Sequence, residues 1–480
     1  LQRTAACRII FPLQARPALR RRGREVNGLE KEHGHTHVGL YVQAMAKWLA
    51  VALVTGVCCG VVGSLFHIGV NYATAIRGAH PWILYLLPVG GLAIVGLYKL
   101  CRLEGKGTNA IIESVHFGES VPILLVPVIF VSTVITHLCG GSAGREGAAL
   151  QIGGGLGYEA GKLLHLGEKD LPLATLCGMS GVFSALFGTP LTATVFALEV
   201  ISVGVLYYAG LVPCITAAMA AFGVSTLMGV EPTRFAVAMP PVTLETMAPV
   251  VALAILCAVV SILFCKGLHW TERLLDRGFR SPWVRVLAGS VLLIGMSLLT
   301  NGDYNGAGTQ VIERAMAGDA SYAAFFIKLV MTAITIGVGY KGGEIVPTLF
   351  VGSTFGCAAG ALLGLPAGFA AALGITGLFC GMTNCPITSL LISVELFGAD
   401  GLPLVSAESL YYAKSYAVTF LIAVIGATPL CKNVVSKLAE SARGAQVLAI
   451  LQPVWLVLLL AACTAFLVDG SFNPFLYFRF

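Results

Sequence analysis

The sequence predicts an all-α, polytopic membrane protein whose helices are broken near mid-membrane and whose two halves are related. Three observations lead there. Of 480 residues, 57% are hydrophobic and 11% charged, with mean hydropathy +0.85. A soluble domain carries roughly 25% charge, so this chain cannot cover a water-exposed surface of its size. Long segments contain no Asp, Glu, Lys or Arg, and several match the roughly 20 residues needed to span a bilayer. Three short motifs recur in the same order about 200 residues apart.

Residues 1–42 form a basic arm. Residues 1–50 hold nine Lys/Arg against three Asp/Glu, which accounts for the whole net charge of +6. Arg16, Arg20, Arg21, Arg22 and Arg24 read as a cytoplasmic tail facing anionic lipid. No aromatic interleaving accompanies them, and nucleic acid is not expected as a partner. Lys266–Arg285 carries five basic residues against Glu272 and Asp276, so the positive-inside rule places it in the cytoplasm too.

The body divides into a first transmembrane repeat, 43–245, and a second, 246–440. A tail, 441–480, holds one apolar segment. Gly105–Ile111 matches Gly306–Ile312, Gly144–Gly153 matches Gly343–Gly352, and Gly178–Val200 matches Gly374–Leu396. Ile345–Val394 is 50 residues without a charge, interrupted by Pro347, Pro366 and Pro386. Broken helices at membrane depth survive only where protein or a wet cavity satisfies the freed backbone. Paired breaks in duplicated halves point to a transport site at the repeat interface. The sequence alone leaves open whether the repeats are parallel or inverted.

The 14 cysteines lie mostly in apolar runs without a CxxC pair, and read as packing residues rather than zinc ligands or disulfides. No metal and no cofactor are expected. Gly140–Gly144 fits G-x-S-x-G around Ser142, the distant alternative of an intramembrane serine protease. That chemistry needs a strand–turn–helix and a positioned His, and the later histidines, His165 and His269, lie outside charge-free runs.

Each repeated glycine motif opens an apolar run. Helix N-termini carry unpaired N–H groups and partial positive charge, so several meeting at mid-membrane would hold an anion without a full countercharge. Glu146 stands out: a carboxylate in an apolar region, next to Arg145. Such a group is costly and functional by default. At a helix N-terminus it could occupy the anion site itself and leave on protonation; the structural alternative is an ion pair with Arg145.

Gly141–Gly153 resembles the GREGP signature of the CLC family of chloride channels and anion/proton antiporters. Lys341–Pro347 resembles that family's GxFxP segment, and Gly105–Asn109 occupies the place of its GSGxP segment. The resemblance spans residues 43–440. It implies inverted repeats, a homodimer with one anion pathway per subunit, a location in the bilayer of a bacterial inner membrane, and transport of halide and protons by a protein that is not an enzyme. It makes Glu146 the gating and proton-coupling glutamate. Carried over residue by residue, the anion-binding set is Lys106, Gly107, Thr108, Asn109, Gly144, Arg145, Gly147, Ala148, Glu344, Ile345, Val346, Pro347, Thr383 and Asn384.

The departures are informative. Lys106 replaces the family's anion-coordinating serine, Ala148 the proline of GREGP, and Ile345 the phenylalanine of GxFxP. Val200 stands at the internal proton-transfer position, and Cys431 where the pore tyrosine is expected; Tyr411, Tyr412 and Tyr416 read as interfacial belt residues, with substitution for that tyrosine by one of them as the lesser alternative. Ala148 and Gly381–Pro386 resemble the fluoride-exporting branch, so proton-coupled fluoride export is favoured over chloride transport. A passive voltage-dependent chloride channel is the alternative. Glu199 and Glu395, equivalent across the repeat, are expected at helix ends or a dimer contact. The spacing of Lys341 and Glu344 allows a pair across the turn without requiring it, and His137 is expected to be hydrogen-bonded packing. Lys106 either steers anions or snorkels to the cytoplasmic interface.

Overall fold

A computed structural model describes residues 37–201, 207–238, 240 and 243–398. Cys431, the three late tyrosines, most of the arm and the tail segment lie outside the described residues. Within them the fold is helical, and the only β-type pairing is an isolated bridge. The first half contains α1 (His37–Ala79), α2 (Leu87–Leu100), α3 (Thr108–Phe117), α4 (Leu125–Cys139), α5 (Glu146–Leu163), α6 (Leu171–Phe187) and α7 (Pro190–Glu199). A further helix, α8 (Leu211–Leu227), follows. The second half contains α9 (Leu244–Gly278), α10 (Pro282–Leu299), α11 (Thr309–Met316), α12 (Ala324–Val338), α13 (Ile345–Leu362), α14 (Ala367–Thr383) and α15 (Pro386–Phe397).

The charge-free run Ile345–Val394 thus becomes three helices broken where its prolines stand. Pro347 lies in the first turn of α13, Pro366 is the N-cap of α14, and Pro386 opens α15. The missing N–H of proline costs little at a helix start. α4 and α12 are each 15 residues long, α5 and α13 each 18, α6 and α14 each 17. The sequence repeat is therefore a repeat of elements.

Among the described residues, six helical segments are long and apolar enough to cross a bilayer, including Gln43–Ala79, Thr246–Gly278 and Ile345–Leu362. Along α9, Val251, Ile255, Val259 and Ile262 face outward, as lipid-facing side chains must. The inner layer is α5, α6, α13 and α14, with Leu173–Phe187 of α6 continuously buried. Close approach there depends on glycine. A Cβ on Gly153 would strike the Gly178 carbonyl oxygen, and one on Gly352 would strike that of Gly374.

Equivalent elements meet antiparallel. Gly144 and Gly343 form the isolated antiparallel bridge. Gly91 of α2 lies against Val286 near the start of α10, while Gly96 lies against Trp283, still nearer that start. Glu199 ends α7 and accepts the N–H groups of Ile387 (3.2 Å) and Thr388 (2.9 Å) at the start of α15. Glu395, near the end of α15, accepts those of Leu191 (3.1 Å) and Thr192 (2.8 Å) at the start of α7. This exchange of equivalent contacts is what a two-fold axis perpendicular to the helices produces. The two glutamates thus act at helix ends, each capping the other half's helix.

Candidate functional site

The site lies where α5 and α13 begin. Arg145 and Glu344 are their N-caps, and neither helix has a side-chain cap, so first-turn N–H groups remain available. The Gly144–Gly343 bridge, with N–H to oxygen distances of 2.7 and 2.8 Å, holds the two starts together. Glu146 is 0% exposed. Its Oε2 accepts the Arg145 N–H at 2.9 Å and the Val346 N–H, from the other half, at 3.4 Å. Its Oε1 makes no hydrogen bond and lies 3.7 Å from Arg145 Nε. Arg145 also donates through Nη1 to Asn71 Oδ1 at 3.0 Å. The carboxylate thus sits at two helix N-termini at once, where the dipoles and free N–H groups favour negative charge. Glycine at 144 leaves the carboxylate its room, because a Cβ there would overlap Glu146 Oε2 and stand 3.0 Å from Pro347 Cδ.

A cavity of about 910 Å³ reaches this point between the C-terminal ends of α1 and α10. Arg145 and Val346 form part of its wall, with Asn71, Arg77, His137 and Asn305.

Of the residues expected at the site, Gly144, Arg145, Glu146, Gly147, Val346 and Pro347 are brought together here. Gly147 abuts the Gly343 backbone, and Ala148 and Ile345 are buried in the same first turns. Gly107 caps α3, and Thr108 Oγ1 accepts from Gln151 Nε2 of α5 at 3.2 Å. The first motif therefore stands beside the middle of α5, joined to the Glu146 helix but not to its carboxylate. Lys106 is half-buried and Asn109 exposed, and neither side chain makes a hydrogen bond or ion pair among the described residues. Thr383 ends α14 with its hydroxyl donating to the Phe379 carbonyl at 2.7 Å, and Asn384 is the left-handed C-cap. Neither is hydrogen-bonded to Glu146.

One pairing that the sequence allowed is absent, and the distant alternative at Ser142 gains no support. Lys341 does not pair with Glu344: its ammonium stands 4.4 Å from the centre of the Tyr98 ring, while Glu344 is exposed. The aromatic face of α2 competes successfully for the cation. Ser142 is no nucleophile. Its buried hydroxyl donates to the Tyr304 carbonyl at 2.9 Å and meets Thr332 Oγ1 at 3.3 Å, with no histidine in contact. His137 is buried and its Nδ1 donates to the Thr133 carbonyl at 2.9 Å, while Nε2 has no partner among the described residues.

Sequence reasoning passed over Gln151, Arg77 and Lys328. Lys328 is 0% exposed and donates to the carbonyls of Tyr304 (3.0 Å) and Gly306 (2.6 Å). Its signal was a lone cation within the apolar stretch Phe325–Val338.

Broken helices packed around two such N-termini, within a shell of membrane-spanning helices, define a membrane transporter or channel and not an enzyme. The comparisons agree. The family model described as voltage gated chloride channel matches residues 90–409. A chloride/fluoride channel protein of Pseudomonas syringae pv. tomato is 34% identical over 370 residues, covering 75% of this chain and 82% of the relative. The H(+)/Cl(-) exchange transporter ClcA of Vibrio campbellii is 26% identical, covering 72% and 81%. Among solved structures, a CLC-type fluoride/proton antiporter matches with TM-score 0.71 and 31% identity, covering 74% of this chain and 91% of that one. A slow cyanobacterial Cl-/H+ antiporter, 20% identical with TM-score 0.63, shares the fold over 73% and 89%. The chain belongs to the voltage gated chloride channel, or CLC, family, an integral membrane family of anion transporters and channels.

Proposed function

We propose that this protein exchanges halide for protons, fluoride in preference to chloride, with Glu146 as both gate and proton carrier. One observation carries the reading: the Glu146 carboxylate is seated on N–H groups from both halves, where a small anion would sit. Protonation would remove its charge and weaken its hold on those N–H groups, leaving the seat to an anion. Backbone donors without full cationic charge bind an anion firmly enough to select it and loosely enough to release it.

Fluoride preference is supported by Ala148 in place of the signature proline and by the two relatives above 30% identity, both named for fluoride. The antiparallel meeting of equivalent helices supports repeats inverted across the membrane. With the basic arm and Lys266–Arg285 on the cytoplasmic face of a bacterial inner membrane, the large cavity opens on the opposite side. A homodimer completes the reading, Gly107–Asn109, Thr383 and Asn384 lining the inner path.

The test uses proteoliposomes of the full chain. Fluoride and chloride efflux are measured side by side with proton uptake. Fluoride efflux faster than chloride, coupled to protons in wild type and uncoupled in Glu146→Gln, is expected. Chloride efflux matching or exceeding fluoride would overturn the selectivity, and proton coupling persisting in Glu146→Gln would overturn the role of Glu146.

A further inference from the structure

Two cations near the cavity lack a countercharge. Arg77, at the end of α1, lines it and makes one hydrogen bond, from Nη1 to the His137 carbonyl at 2.5 Å. Lys328 lies directly behind the wall segment Tyr304–Gly308, its ammonium held by the Tyr304 and Gly306 carbonyls. Among the described residues neither forms an ion pair. Charges withdrawn from water are ordinarily paired. The carboxylates on the cavity wall, Asp303 and Glu313, are exposed at its mouth, and Asp303 is engaged by Arg314 at 2.8 Å.

Two buried polar atoms of the same wall are also unpartnered. His137 is 1% exposed and its Nε2 has no hydrogen bond. Asn305 is 8% exposed and its Oδ1 has none, while Nδ2 donates to Ser297 Oγ at 2.7 Å. A hydroxyl both donates and accepts, so turning the amide over satisfies Oδ1 on Ser297 and frees an N–H. The Gly308–Thr309 start of α11 completes the wall.

We propose that this cavity holds a second small-anion site, separate from the seat of Glu146, in which a halide is bound by the Arg77 guanidinium and the Asn305 amide and is joined by a proton on His137. Because Nδ1 of His137 donates to the Thr133 carbonyl, Nε2 of the neutral ring is a bare lone pair. It donates to an anion only after taking a proton from solvent. Burial of the ring, and after it the positive charges of Arg77, Arg145 and Lys328, oppose that proton, and an arriving halide offsets the charge repulsion. Halide and proton therefore load together. The same cavity wall continues to Arg145 and Val346, so the site is a waiting place on the way to Glu146. It rests on the halide substrate of the proposed function but not on the role of Glu146.

Calorimetric titration of the purified full chain with sodium fluoride and sodium chloride tests this. Wild type is compared with Arg77→Gln, Asn305→Asp, Glu146→Gln and Glu146→Gln with His137→Gln added, in HEPES and in Tris, each sample first shown to elute as wild type. Arg77→Gln and Asn305→Asp should each lose one halide per subunit or bind it about tenfold or more weakly, the loss expected for a charge-assisted hydrogen bond. Glu146→Gln should keep that halide. In Glu146→Gln, where the gate can take no proton, the heat should still differ between the two buffers, and adding His137→Gln should abolish that difference. If Arg77→Gln does not fold, Arg77→Lys, with the charge kept and the fork lost, should bind more weakly. Full halide binding in the Arg77 and Asn305 variants, loss of the same halide in Glu146→Gln, or a buffer-independent heat in Glu146→Gln would each overturn the proposal. Intact proton coupling in Glu146→Gln would instead overturn the gating role and leave this site standing.

Discussion

Gly144 and Gly343, 199 positions apart and equivalent in the repeat, exchange both backbone hydrogen bonds, at 2.7 and 2.8 Å. That exchange brings the first turns of α5 and α13 to one point and makes a single carboxylate answerable to both halves. Any side chain at 144 would intrude on Glu146 Oε2. Gly144→Ala should therefore expel the carboxylate from its seat while the chain still folds, at an overpacking cost of about 1–3 kcal/mol. The measurement is proton-coupled fluoride uptake alongside thermal unfolding in detergent. Uptake with unchanged coupling would show that the seat tolerates a Cβ.

Glu199 and Glu395 allow a symmetric prediction. Each accepts two backbone N–H groups and one threonine hydroxyl, Thr388 at 2.6 Å for Glu199 and Thr192 at 2.5 Å for Glu395. Glu199→Gln and Glu395→Gln should each lower stability by about 1–3 kcal/mol, the range for hydrogen bonds to a charged group, and by similar amounts. Halide–proton coupling should survive in both. Thermal unfolding and coupled flux check this, and loss of coupling in Glu199→Gln alone would assign that residue to proton transfer.

The inner packing layer makes a third prediction. Gly153→Val places a branched side chain against the Gly178 backbone, and Gly352→Val does the same at Gly374. Backbone cannot yield as a flexible side chain can, so α5 must part from α6 or α13 from α14. Both variants should lose folded yield, measured by gel filtration of extracted protein. Gly78→Val, where a Cβ meets nothing within 4 Å, should express normally.

Much of this architecture is legible in the residues, and the reason is local. Pro347, Pro366 and Pro386 end or start helices through their own ring geometry, so the three-way division of Ile345–Val394 could be read directly. Glu146 is conspicuous because a carboxylate in an apolar run is costly wherever it falls. What was hidden is long-range. Nothing near Glu146 announces Val346 as its second donor, since that contact exists only once the halves are docked. Lys341 and Glu344, three positions apart at a turn, were free to pair until Tyr98, over 240 positions away, supplied the aromatic face. Lys328 and Arg77 are single cations whose meaning depends on a loop and a cavity assembled from α1, α10 and α11.

Ser142 supplies the last prediction. The motif around it fits a nucleophile, but its hydroxyl is spent on the Tyr304 carbonyl and Thr332, and its N–H is accepted by Thr335 Oγ1 at 3.1 Å. It joins the start of the α5 segment to α12 and to the loop before α11, the loop that Lys328 also grips through the Tyr304 carbonyl. Ser142→Ala removes one donor from a carbonyl that keeps another, so the cost should be near that of one net hydrogen bond, about 1 kcal/mol. Halide flux and its proton coupling should change little, because no reacting group is lost. Proteoliposome flux and thermal unfolding of Ser142→Ala measure both effects. Coupling abolished with stability unchanged would mean that the hydroxyl takes a direct part in transport.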